Sequence, residues 1–147
     1  MHPAVHHAPD SANPGWSTWD LHEPTRFNAA LGKMIVQPAG PNRGRCRIFP
    51  EHAQANLGNA VHGGAILAFM DIALFAGGHM AGMSDSDAVT LDLQANFIGA
   101  GVLGLPMDAE VELLRETGRL VFLRGLVTQG ETLVASFTGT LRKIRPR

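Results

Sequence analysis

From Gly63 to Gly78 the chain runs for sixteen residues with a single ionisable side chain, Asp71. Ala65, Ile66, Leu67, Ala68, Phe69, Met70, Ile72, Ala73, Leu74, Phe75 and Ala76 leave a helix in this segment no polar face to offer to water. A helix that is apolar all round must be surrounded. At roughly 24 Å it falls short of a bilayer span, and it carries a carboxylate near its middle. It is therefore read as the buried helix of a soluble protein, and the rest of the chain must supply the cover.

That cover is read as β-structure. Lys33–Gln37 and Arg43–Phe49 are short β-like runs around the turn signal Pro38-Ala-Gly-Pro41-Asn. Residues 50–61 read as loop, and a short helix is expected somewhere between Leu21 and Leu31. Beyond the acidic turn at Ser84–Asp87 the pattern alternates. Leu91, Leu93, Ala95 and Phe97 fall on one face, and Thr90, Asp92, Gln94 and Asn96 on the other. Met107, Ala109, Val111 and Leu113 alternate with Asp108, Glu110 and Glu112, and turns at 115–118 and 129–131 introduce Leu120–Thr128 and Thr132–Lys143. The expectation is an α+β domain, a curved antiparallel sheet wrapped around the helix of about 63–78. One sheet covers one side of that helix. A second copy of the chain is the most economical cover for the other.

With 147 residues, one domain is expected, covering 21–147. Residues 1–20 hold three prolines and three histidines and read as a mobile arm, without the basic start and apolar run of a secretory signal. Twelve Lys and Arg against thirteen Asp and Glu give no basic face for nucleic acid. Cys46 stands alone, which excludes an internal disulfide and a Cys-rich zinc site and makes the cytoplasm the default compartment. It is read as a packed thiol beside Arg45 and Arg47. The histidines His2, His6 and His7 have no acidic or Cys neighbour that would make them a metal site, and Trp16 and Trp19 are read as docking the arm.

Asp71 is the residue that needs a reason, because an ionised carboxylate in an apolar helix is costly unless compensated. Two readings stand: a structural ion pair, or a general base or nucleophile in a dry cleft. His62-Gly63-Gly64 sits where the helix begins, and there the free N–H groups suit an oxyanion and the glycines admit a close approach. Asn56, six residues upstream of His62, is a candidate amide donor or a turn residue. Gly63 and Asp71 are eight residues apart, roughly 12 Å along one helix, so a single chain cannot serve one carbonyl with both. Antiparallel helices about a twofold bring Gly63 of one copy to Asp71 of the other.

Asn56-Leu-Gly-Asn-Ala-Val-His62-Gly63-Gly64, with Asp71 seven residues after Gly64 and Ala73 beyond it, resembles the motif of hotdog-fold acyl-CoA thioesterases of the PaaI-like type. The resemblance covers about residues 30–143. It implies dimers that often pair into tetramers, and hydrolysis of an acyl-CoA to a free acid and CoA without metal or organic cofactor. It places Asp71 as the carboxylate that activates water or attacks the thioester, and Gly63 as the N–H that polarises the carbonyl, with Asn56 assisting. Thr90 matches a residue that helps hold the water, and His62 matches the motif histidine, whose implied role is structural or orienting. Gly64 and Phe75 are further candidates for substrate contact. Arg142 and Lys143, with Arg145 and Arg147, are candidates for the CoA phosphates or for a solvated strand end. Asn59 stands where the family usually has glycine. Asn is the next best residue for a left-handed backbone, so the loop is expected to survive. Two rival readings remain at this point: a non-catalytic acyl-CoA binding or sensing protein on the same scaffold, and a hotdog hydratase or dehydratase.

Overall fold

The computed structural model describes residues 2–144; Arg145 and Arg147 lie outside the described residues. In chain order the elements are β1 (Val5–His6), β2 (Ser17–Thr18), β3 (Asp20–Leu21), a 3-10 turn at Phe27–Leu31, β4 (Met34–Pro38) and β5 (Arg43–Ile48). A second 3-10 turn at His52–Gln54 leads to α1 (Gly63–Met80), followed by β6 (Ala88–Phe97), β7 (Met107–Glu116), β8 (Leu120–Gln129) and β9 (Thr132–Lys143). The main sheet has the order β2-β4-β5-β7-β8-β9-β6, antiparallel throughout. It wraps α1 as the all-apolar helix requires. The β7 alternation holds: Met107, Ala109 and Val111 are fully buried, and Asp108 and Glu110 on the outer face pair with Arg47 and Arg45.

Close approach of helix and sheet depends on two glycines. A Cβ at Gly77 would lie 2.7 Å from Val111 Cγ2, and one at Gly44 would overlap the Gly77 carbonyl. The α1 and β5 backbones therefore touch directly. Cys46 packs beside them, fully buried, and burial drives its thiol far above its usual value, with Asp108 adding to the effect. It is a core residue, as read from the sequence.

The sheet leaves one stripe of α1 uncovered. Ile66, Phe69, Met70, Ala73, Leu74 and Ala76 are buried, whereas Gly64, Leu67, Ala68, Asp71, Phe75 and His79 retain exposure at three- and four-residue steps. Part of that stripe is covered by residues 1–20, the segment read as an arm. β1 pairs with β3, and β2 adds to the sheet beside β4. Asp10, buried, accepts from Ala12 N–H and Asn13 Nδ2 and pairs with Lys33 Nζ at 2.8 Å. Trp16 lies under the Arg47 guanidinium, 4.6 Å from its ring centre. These long-range partners, invisible to local composition, order the segment.

Candidate active site

The loop before α1 is closed by Asn56. Its Oδ1 accepts the N–H groups of Gly58 at 2.8 Å and Ala60 at 3.0 Å, and its own N–H donates to the Ala60 carbonyl. The side-chain NH2 is the donor that remains for a ligand. Asn59 holds the left-handed conformation at φ 59°, so its replacement of glycine is absorbed as expected.

His62 caps α1. Its Nδ1 accepts the Gly64 N–H at 2.8 Å, and its carbonyl accepts from Ala65 and Ile66. Of the first four helical N–H groups, Gly63's is the one without an acceptor among the described residues. The Gly64 N–H is therefore taken up by the cap. A Cβ there would sit 3.0 Å from His62 Nδ1, so this glycine makes room for the cap. At Gly63 a Cβ would meet only the Phe97 ring at 3.8 Å, an ordinary contact. Nothing inside the subunit demands glycine at that position.

Asp71 lies two turns further along the uncovered stripe, half-buried, and Thr90 Oγ1 donates to its Oδ1 at 2.6 Å. The alternation read from the sequence put Thr90 on the outer face with Asp92, Gln94 and Asn96. A β-bulge between Thr90 and Asp92 shifts the phase: Ala88 and Thr90 turn inward before it, Leu93 and Ala95 after it, and Leu91 is left 57% exposed. That irregularity brings the hydroxyl to the carboxylate. No periodic pattern contains it.

Asp71 opens into a cleft of ≈ 770 Å³ that Phe75 also lines, together with Trp19 and His79, which the sequence reading did not single out as site residues. For His79 a signal existed: it is one of the few polar groups flanking the apolar segment, eight residues from Asp71 on the same stripe. Burial holds its imidazole below the usual value, His7 adds to this, and Asp85 at 3.3 Å pulls the other way. The Lys143 ammonium is held by Glu116 at 2.7 Å and the Thr117 carbonyl at 2.8 Å. Arg142 is exposed at the end of β9. Gly63 and Asp71 are not brought together within one subunit. They stand on the same helix, roughly 12 Å apart along its axis.

A long apolar helix wrapped by a curved antiparallel sheet, with a carboxylate on its uncovered stripe, defines the hotdog class. The chain belongs to the thioesterase superfamily, whose family model matches residues 58–136. It is similar in fold to a mutant of the phenylacetic acid degradation protein PaaI from Thermus thermophilus, at 24% identity and TM-score 0.68, over 80% of this chain and 98% of that one. Thioesterase superfamily member 2 from Mus musculus aligns at 21% identity and TM-score 0.67, over 79% and 86%. A hypothetical thioesterase protein with coenzyme A from Streptococcus pneumoniae aligns at 17% identity and TM-score 0.70, over 82% and 92%. No curated protein sequence matches the chain. The PaaI-like resemblance read from the Asn56–Asp71 motif is borne out at the level of family and fold.

Proposed function

We propose that the protein hydrolyses an acyl-CoA thioester to a carboxylic acid and CoA, in a site shared by two copies of the chain. The observation that carries this reading is the Thr90–Asp71 hydrogen bond, which orients a carboxylate on an otherwise apolar helix toward a cleft. Thr90 occupies Oδ1, so Oδ2 is the oxygen that takes a proton from water. The hydroxide adds to the thioester carbonyl, the C–S bond breaks, and CoA leaves as its thiol. Direct attack by Asp71, through an acyl anhydride that water then opens, uses the same geometry. The developing oxyanion rests on the Gly63 N–H of the other copy, with the Asn56 amide assisting.

Support for a second copy comes from β6. Among the described residues it pairs with β9 alone, and Val89, Leu91 and Phe97 on it are 44–57% exposed. A ten-residue strand with one edge unpaired and three large apolar side chains exposed is a template for another strand. Pairing β6 to β6 about a twofold would set the two α1 helices antiparallel.

The test is Asp71→Asn beside the wild type, assayed on a panel of acyl-CoAs by release of free thiol. Turnover that falls at least ~10³-fold in a folded variant supports the mechanism. Near-wild-type turnover by Asp71→Asn refutes it. No turnover by either protein, with saturable CoA-ester binding, favours the binding or sensing reading.

A further inference from the structure

The stripe of α1 that bears Asp71 has two halves with different cover. Toward the helix start Gly64 and Leu67 are exposed. Toward its end Phe75 and His79 lie under the N-terminal segment, where His2–Val5 and Trp19 line the same cleft as Asp71. Trp19 is held from three sides. Its main-chain N–H donates to the Met34 carbonyl at 3.1 Å, and its ring lies 5.9 Å from that of His7 and 5.7 Å from that of His79. His7 and His79 are themselves 6.4 Å apart, so the three rings close into one cluster. Three residues away, Trp16 under Arg47 clamps the segment to the outer face of the sheet. The indole is thus a fixed wall rather than a floating side chain.

We infer that Trp19 is the specificity-determining residue of the acyl site, closing its far end and setting the longest acyl group it takes. The inference rests on Asp71 being the reacting carboxylate. An acyl group whose carbonyl lies at Asp71 and whose tail follows the stripe passes Ile72 and Phe75 and meets Trp19 and His79, roughly 12 Å further along the helix. Each methylene buried on the way raises kcat/KM roughly fourfold. The first methylene that must displace the indole reverses the trend, because a ring packed against two imidazoles does not yield without losing those contacts.

Two experiments test this. In the first, kcat/KM is measured for saturated acyl-CoAs from acetyl to hexadecanoyl with wild type and Trp19→Ala. The expected result is a wild-type profile that rises and then breaks by roughly tenfold or more, with the break moved to longer chains in the variant. A profile of the same shape in both, scaled down uniformly or not at all, overturns the inference. The second experiment needs no turnover. The chain has two tryptophans and no tyrosine, so Trp16→Phe leaves Trp19 as the sole strong emitter. Long S-alkyl-CoA thioethers should shift its emission, and CoA alone should not. Thioethers that bind by calorimetry without changing Trp19 emission, or that do not bind at all, overturn the proposal. If Trp19 responds while no acyl-CoA is hydrolysed, the wall stands and the hydrolase reading fails. If acyl-CoAs are hydrolysed with a chain-length profile blind to Trp19, the hydrolase reading stands and the wall fails.

Discussion

Replacing Gly63 by alanine separates a glycine kept for a ligand from one kept for the fold. The new methyl would meet only Phe97 Cε1 at 3.8 Å, and the backbone there is not in the left-handed region, so the subunit accommodates it without strain. Gly→Ala in a helix interior contributes about 0.5–1 kcal/mol, and less is expected at the first helical residue. In a domain of this size 1 kcal/mol moves Tm by about 2–4 °C, so the expected change is between none and a rise of ~3 °C. The same methyl stands at the N–H assigned to the oxyanion. Alanine keeps that N–H, but its methyl bars the carbonyl from reaching it, and an oxyanion denied one such donor costs about 10²–10³ in kcat, or ~2.7–4 kcal/mol of transition-state stabilisation. Gly77→Ala is the control, since its methyl would lie 2.7 Å from Val111 Cγ2 and 3.5 Å from Cys46 Sγ. Overpacking of that kind is expected to destabilise by about 1–3 kcal/mol, visible as a fall in Tm. Thermal melting and thiol-release kinetics on the two variants read both quantities. The reasoning is refuted if Gly63→Ala loses stability as Gly77→Ala does, or if it keeps kcat/KM within about threefold of wild type.

Two further outcomes follow from the hydrogen-bond and charge networks. Gln129, buried, receives the Val102 N–H at 2.7 Å and donates to the Val102 carbonyl at 2.8 Å and the Leu105 carbonyl at 3.2 Å. Gln129→Ala should lower unfolding free energy by about 1–3 kcal/mol in urea melts, and an unchanged midpoint would show that this loop does not depend on it. The hydrogen bond from Arg45 holds the Glu110 carboxyl below its ordinary value of 4.5, with burial opposing and Arg43 assisting. A carboxyl lowered in the folded state adds stability above its unfolded value and loses it as pH falls through the folded one. Tm should therefore drop as pH is taken below ~4.5, less steeply in Arg45→Gln, and equal slopes in the two proteins would count against the pairing.

The reach of sequence reasoning here can be followed residue by residue. The α1 segment declares itself by composition, because sixteen residues without a polar face admit few environments. The long strands declare themselves by alternation, and β7 keeps that alternation, with Met107, Ala109 and Val111 buried. The motif from Asn56 to Asp71 was legible as a spacing, and its loop, cap and carboxylate lie where that spacing put them. Each of these is a local property, carried by neighbours within a turn or two of the chain.

What the tertiary structure decided are the terms that depend on partners far away in sequence. Thr90 faces Asp71 because a bulge against β9 shifts the phase of β6, and a bulge is settled by cross-strand hydrogen bonds rather than by side-chain period. The Gly64 N–H is bonded to His62, and the Lys143 ammonium to Glu116 and the Thr117 carbonyl, partners that no spacing announces. The first twenty residues read as an arm by composition, yet Lys33, Met34, Arg47 and His79, scattered over 47 positions, hold them on the sheet and over the cleft. Periodicity can say which face of an element is apolar. Only the packed chain says which distant residue comes to cover it.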